Sequence, residues 1–174
     1  SINREKIRGL IGKIIETNNN GNAIYLIGNG GSASTASHWA CDLGKGTLNR
    51  FYDSNQRRLR VVSLTDNMSI ITCLANDLTY DEIFSQQLRN LIEKNDLLIA
   101  MSGSGNSKNV INAVDVAKKK GAYVFSLLGY DGGEVAQMSD DSIIIPSKNY
   151  GIIEDIHLTL GHLVTMSIKK ENNF

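Results

Sequence analysis

The chain has 174 residues, 41% of them hydrophobic, and its 18 Lys plus Arg balance 18 Asp plus Glu, so it carries no formal net charge. That is one domain's worth of chain with an ordinary core, and its neutrality argues against a dominant nucleic-acid or acidic-membrane surface. No apolar run approaches the roughly 18 residues of a membrane span, and the first six residues hold no apolar signal-peptide core.

Apolar spacing places the elements in alternation. Ile7, Leu10, Ile11, Ile14 and Ile15 recur at helical intervals, predicting an amphipathic helix over residues 4–16 that the run Asn18-Asn19-Asn20-Gly21-Asn22 stops. A strand over 23–27 follows, then a helix over 34–43. Residues 46–56 are polar and without period, and are expected to form a flexible loop near the site. Beyond them come a strand over 58–64, a short helix over 67–73 and a second helix over 80–92. Strands over 96–101, 123–128 and 141–146 alternate with helices over 107–120 and 134–138, and a last helix covers 152–169 before a short polar tail. Cys41 and Cys73 lie inside apolar segments without metal spacing, which predicts buried thiols in a reducing cytoplasm.

Apolar strands alternating with helices predict an α/β fold: a three-layer α-β-α sandwich around a mostly parallel five-stranded sheet, formed by one domain over residues 1–174. Ligands of such open sheets lie beyond the carboxyl ends of the strands. Two loops sit there and share one chemistry, Gly28-Asn29-Gly30-Gly31-Ser32 and Ser102-Gly103-Ser104-Gly105-Asn106-Ser107. Each turns from strand into helix, placing backbone N–H groups and hydroxyls at the positive end of a helix dipole. Two such loops in one small domain point to a phosphorylated ligand. Either alone also reads as a tight turn with no ligand.

The chain has three histidines. His38 and Asp42 lie four apart on the helix behind the first loop and share a face, a pattern a solvated helix pair also gives. Glu154 and His157 lie three apart on the last helix, and His162 lies about two turns beyond Glu154. Set amid Leu158, Leu160, Leu163 and Val164, His162 also reads as a core histidine.

Together, Asn29-Gly30-Gly31-Ser32, His38-x-x-x-Asp42, Ala75-Asn76-Asp77, the second loop, Gly129-Tyr130-Asp131-Gly132-Gly133 and Glu154-Asp155-Ile156-His157 resemble the sugar isomerase (SIS) domains. Within them the chain is most similar to the phosphoheptose isomerase branch, and the likeness runs over about residues 21–168. The resemblance implies a cytoplasmic homotetramer, with neither nucleic acid nor membrane as partner. It would convert sedoheptulose 7-phosphate to D-glycero-D-manno-heptose 7-phosphate for surface polysaccharide. The family's glutamate base lines up with Asp42, one methylene shorter, and its acid with His162. Substrate positions that carry over are Asn29, Gly30, Gly31, Ser32, Asn76, Asp77, Ser102, Gly103, Ser104 and Ser107, with Asp42 and Glu154. Some members bind zinc through residues matching His38, Asp42, Glu154 and His162, and Glu154 stands where those members have glutamine. A related branch that binds the bacterial replication initiator lacks the histidine matching His162 and has an arginine where Ser104 stands. A sugar-phosphate-sensing regulator would add a DNA-binding helix-turn-helix, which does not fit before Gly21. An isomerase acting on another ketose phosphate stays open.

Overall fold

In a computed structural model that describes residues 3–53 and 55–171, five parallel strands lie in the order β2-β1-β3-β4-β5. They are β1 (Ala23–Ile27), β2 (Arg60–Ser63), β3 (Leu97–Ser102), β4 (Tyr123–Gly129) and β5 (Asp141–Ile145). The three central strands β1, β3 and β4 are apolar on both faces because helices cover both sides, so each strand divides its side chains between two cores. Leu26 and Ile99 face one core with Trp39 and Leu160; Tyr25, Leu98 and Val124 face the other with Leu88 and Val114.

The helices are α1 (Arg4–Asn19), α2 (Gly31–Cys41), α3 (Met68–Asp77), α4 (Ser85–Leu91), α5 (Lys108–Lys120), α6 (Gly133–Met138) and α7 (Tyr150–Glu171). The first core lies under α1, α2 and α7, the second under α4, α5 and α6. Close packing of α2 on α7 rests on Gly161: a Cβ there would overlap the Trp39 indole, whose Nε1–H donates to the His157 carbonyl at 3.0 Å. None of the described helices is long and apolar enough to cross a membrane.

Three expectations are corrected. The helix predicted over 34–43 starts three residues earlier, at Gly31, and continues as a π turn over Asp42–Gly46. Of the loop over 46–56, in which residue 54 lies outside the described residues, Gly46 adjoins Asp42 but the rest leads away from the cavity: Asn49 Nδ2 donates to the Lys169 carbonyl at 3.4 Å, and Arg57, just past it, reaches Asn19 ahead of β1. A parallel β1–β2 pair requires the chain to return to the amino end of the sheet, and this segment makes that return. Finally, Cys41 and Cys73 are free but exposed. Cys41 ends α2 on its outer side, and α3, which carries Cys73, has no buried residue. The tail from residue 172 onward lies outside the described residues.

Candidate active site

The strand order fixes where the site forms. The chain leaves β1 toward β2 on one side and places β3 on the other, so the switch point falls between β1 and β3, and a crevice opens beyond their carboxyl ends. The two Gly/Ser loops are the segments that leave those ends. Asn29 joins them: its amide exchanges hydrogen bonds with the Asn109 amide at 2.8 and 2.9 Å, and its oxygen also accepts from the Tyr80 hydroxyl at 3.0 Å.

The second loop is held from below and beside. Ser102 Oγ accepts from the Gly105 N–H at 3.1 Å, and the Gly103 carbonyl accepts from the Gly129 N–H at 3.0 Å. Asn106 Oδ1 accepts from the Glu134 N–H at 3.0 Å, so this side chain caps α6 and is not free for a ligand. Gly105 has φ +67, and a Cβ on it would overlap the Gly132 carbonyl, so only glycine fits there. Ser107 begins α5 without a side-chain capping bond, which leaves its hydroxyl unspent. Between the loops lies a cavity of about 90 Å³ lined by Asn29, Ser32, Met101, Ser102, Gly103, Ser104, Ser107, Tyr150 and Glu154. No lysine or arginine lines it, so hydroxyls and backbone N–H groups are what it offers an anion.

Further along the helices that bear Ser32 and Glu154, three side chains come together from α2, the π turn that continues it and α7. His38 Nε2 lies 3.0 Å from His162 Nε2, and Asp42 Oδ2 lies 3.3 Å from the first and 3.7 Å from the second. The two rings meet edge to face with centroids 5.1 Å apart. His162, for which a core position was one reading, is half exposed. The core histidine is His157 on the same helix, with no exposed surface. Burial pulls its pKa from 6.5 down to about 4, opposed in part by its Nε2–H···O bond to Leu128 at 3.3 Å.

The predicted residues do not all converge. Gly30 and Gly31 open α2 at the crevice, with Gly31 under the Glu154 carboxylate. Asn76 and Asp77 end α3, exposed and outside the cavity lining, with the Asn76 amide donating to Asp77 at 2.9 Å. Hydrogen bonds from Asn76 and Cys73 hold the Asp77 carboxyl below its ordinary pKa. Glu154 stands apart from the His38–Asp42–His162 cluster and faces the cavity between the loops. Spacing did not single out Tyr80 and Asn109, which hydrogen-bond Asn29, or Tyr150, which lines the cavity. Tyr150 is half exposed and packs on Gly103, where a Cβ would overlap its ring.

Comparison with known proteins agrees with this geometry. Residues 2–129 match the family model described as SIS domain. A phosphoheptose isomerase of Aliarcobacter butzleri is 40% identical over 158 residues, covering 90% of this chain and 80% of that one. One from Sulfurimonas denitrificans is 40% identical, covering 93% and 84%. The structure of a phosphoheptose isomerase from Neisseria gonorrhoeae superimposes with a TM-score of 0.85 at 32% identity, covering 95% of this chain and 86% of that one. The chain belongs to the SIS domain family, in its phosphoheptose isomerase branch. It is an aldose–ketose isomerase by descent.

The cluster suits the zinc ion that the resemblance implies. Two imidazole nitrogens and a carboxylate oxygen are a zinc donor set, and bonds of about 2.0–2.1 Å in a tetrahedron put ligand atoms about 3.3 Å apart. The separations of 3.0, 3.3 and 3.7 Å bracket that value. Three protein donors also leave a fourth position open, as catalytic rather than structural sites do.

Proposed function

We propose that this chain interconverts sedoheptulose 7-phosphate and D-glycero-D-manno-heptose 7-phosphate, in the cytoplasm, on the way to surface polysaccharide. The observation that carries it is that α2 and α7 each line the hydroxyl-bearing cavity through one residue, Ser32 and Glu154, and each carry one histidine of a cluster in which a carboxylate lies within 3.7 Å of an imidazole. In this mechanism Ser102, Ser104 and Ser107 hold the phosphate. Asp42 removes a proton from C1 of the ketose while protonated His162 gives a proton to the C2 oxygen, forming an enediol. Asp42 then returns its proton to C2 as His162 takes one from the C1 hydroxyl, which leaves the aldose. Both groups end as they began. Zinc held by His38, Asp42 and His162 would polarise the substrate carbonyl in place of the His162 proton, because an imidazole that ligates through Nε2 has no proton there to give.

An NMR assay offering ketose 5-, 6- and 7-phosphates tests the substrate. Turnover is expected with the 7-phosphate, and turnover confined to a shorter ketose phosphate would reject it. We also propose a homotetramer, supported by apolar side chains left exposed on and just after α3 (Met68, Leu78) and on α7 (Leu163, Met166). Native mass spectrometry reads assembly and metal together. The expected species is four chains with one zinc each; a monomer, or an ion lost without effect on rate, goes against these proposals.

A further inference from the structure

On the buried face of α7, between Ile153 and Leu160, stands a histidine with no exposed surface, His157. Burying an imidazole costs stability unless both ring nitrogens are paired. Here Nε2–H donates to the Leu128 carbonyl at 3.3 Å, while Nδ1 has no hydrogen-bond partner among the described residues. A leucine would fill such a place without that cost, so what distinguishes histidine here is the bond to Leu128.

That bond joins two sets of contacts. Leu128 is followed by Gly129, whose N–H donates to the Gly103 carbonyl of the second loop at 3.0 Å. A Cβ on Gly129 would overlap both that carbonyl and the Ile153 side chain of α7. The carbonyl of His157 itself accepts from the Trp39 indole at 3.0 Å, and Trp39 lies against Gly161. Trp39 is the residue after His38, and Gly161 is the residue before His162. His157 thus stands where the frame of the second loop meets the frame of the His38–Asp42–His162 cluster.

We propose that His157 is a positioning residue for the isomerisation: through Leu128 and Trp39 it fixes the span between the second loop and the His38–Asp42–His162 cluster. It touches no substrate. The proposal rests on the sugar-phosphate reading above. A sugar anchored by its phosphate at the second loop presents C1 and C2 to Asp42 and His162 only while that span is kept, and an error of about 1 Å costs about 100-fold in rate.

Two substitutions separate this role from ordinary core packing. H157L fills the space without a donor, and H157Q keeps a donor for Leu128. H157L is expected to lower kcat at least about tenfold and to bind inorganic phosphate like the wild type, because the second loop is intact. H157Q is expected to recover most of that loss. H157M, whose side chain adapts to irregular space, takes the place of H157L where leucine does not fold. Hydrogen exchange read by NMR needs no substrate. In H157L the Gly129 amide is expected to exchange at least about tenfold faster, while that of Leu98 in mid-sheet, which reports opening of the whole molecule, changes less. Equal acceleration at both amides overturns the proposal, as does an H157Q protein as slow as H157L or an H157L protein with the wild-type kcat. If the amides behave as expected but no ketose phosphate turns over, the substrate assignment fails and the junction at His157 stands.

Discussion

Replacing Asp42 by asparagine is expected to lower kcat for the ketose phosphate by about 10³-fold, within the 10²–10⁴ that a positioned general base contributes. Asparagine keeps the size of the side chain and its place at the start of the π turn, and it removes only the ability to take a proton. His162→Ala is expected to cost a similar factor, since its Nε2 is the nearest protonatable group of α7 to the carboxylate, at 3.7 Å. The two groups act on the same proton inventory, so the double variant is expected to be little slower than either single one. Inorganic phosphate should bind both variants like the wild type, because the second loop takes no support from the cluster. A stopped assay by NMR on purified variants measures the rates. An Asp42→Asn protein that turns over at the wild-type rate would remove Asp42 from the mechanism.

That Asp42 and His162 meet was not deducible from spacing, since His38 and His162 are separated by 124 positions and lie on different helices. The central strands were legible because a strand buried on both faces has no polar side to interrupt its run, as Leu97 to Met101 illustrates. The edge strand was less so: Arg58 and Leu59 continue the pattern of β2 but fall before its first ladder partner, Arg60. The helix predicted over 80–92 divides into a 3₁₀ turn over Tyr80–Glu82 and α4, and the break frees Tyr80 to reach Asn29.

The place of Glu154 was hidden for a different reason. Its spacing along α7 puts it on the same side as His162, yet its carboxylate lies against Gly31, where the missing side chain leaves room for it. Exposure of the thiols was hidden as well, because an apolar segment such as Ile70 to Leu74 presents one face inward only when something packs on it. Local pattern decides what an element is. Which neighbours it meets is decided by the order in which the sheet is wound.

The fold itself is expected to weaken in mild acid through His157. Its imidazole lies in the core, with Nε2–H donating to the Leu128 carbonyl and Nδ1 without a hydrogen-bond partner among the described residues. Its folded pKa, about 4, lies below the 6.5 of an exposed histidine. Between those values the unfolded chain binds the proton and the folded chain does not, so stability falls as pH falls. The loss begins near pH 6.5, is complete below about pH 4, and amounts to about 3 kcal/mol. Carboxylates also titrate at the lower end of this window, so the difference between two proteins is the measurement to make. His157→Gln keeps a donor for Leu128 and cannot be protonated. Urea unfolding of both proteins from pH 7.5 to 4.5 should show the variant less stable at pH 7.5, with the gap narrowing, and closing or reversing, as the pH drops. Parallel curves across that range would mean that His157 takes its proton in the folded core at the ordinary pH, and that burial does not hold it neutral.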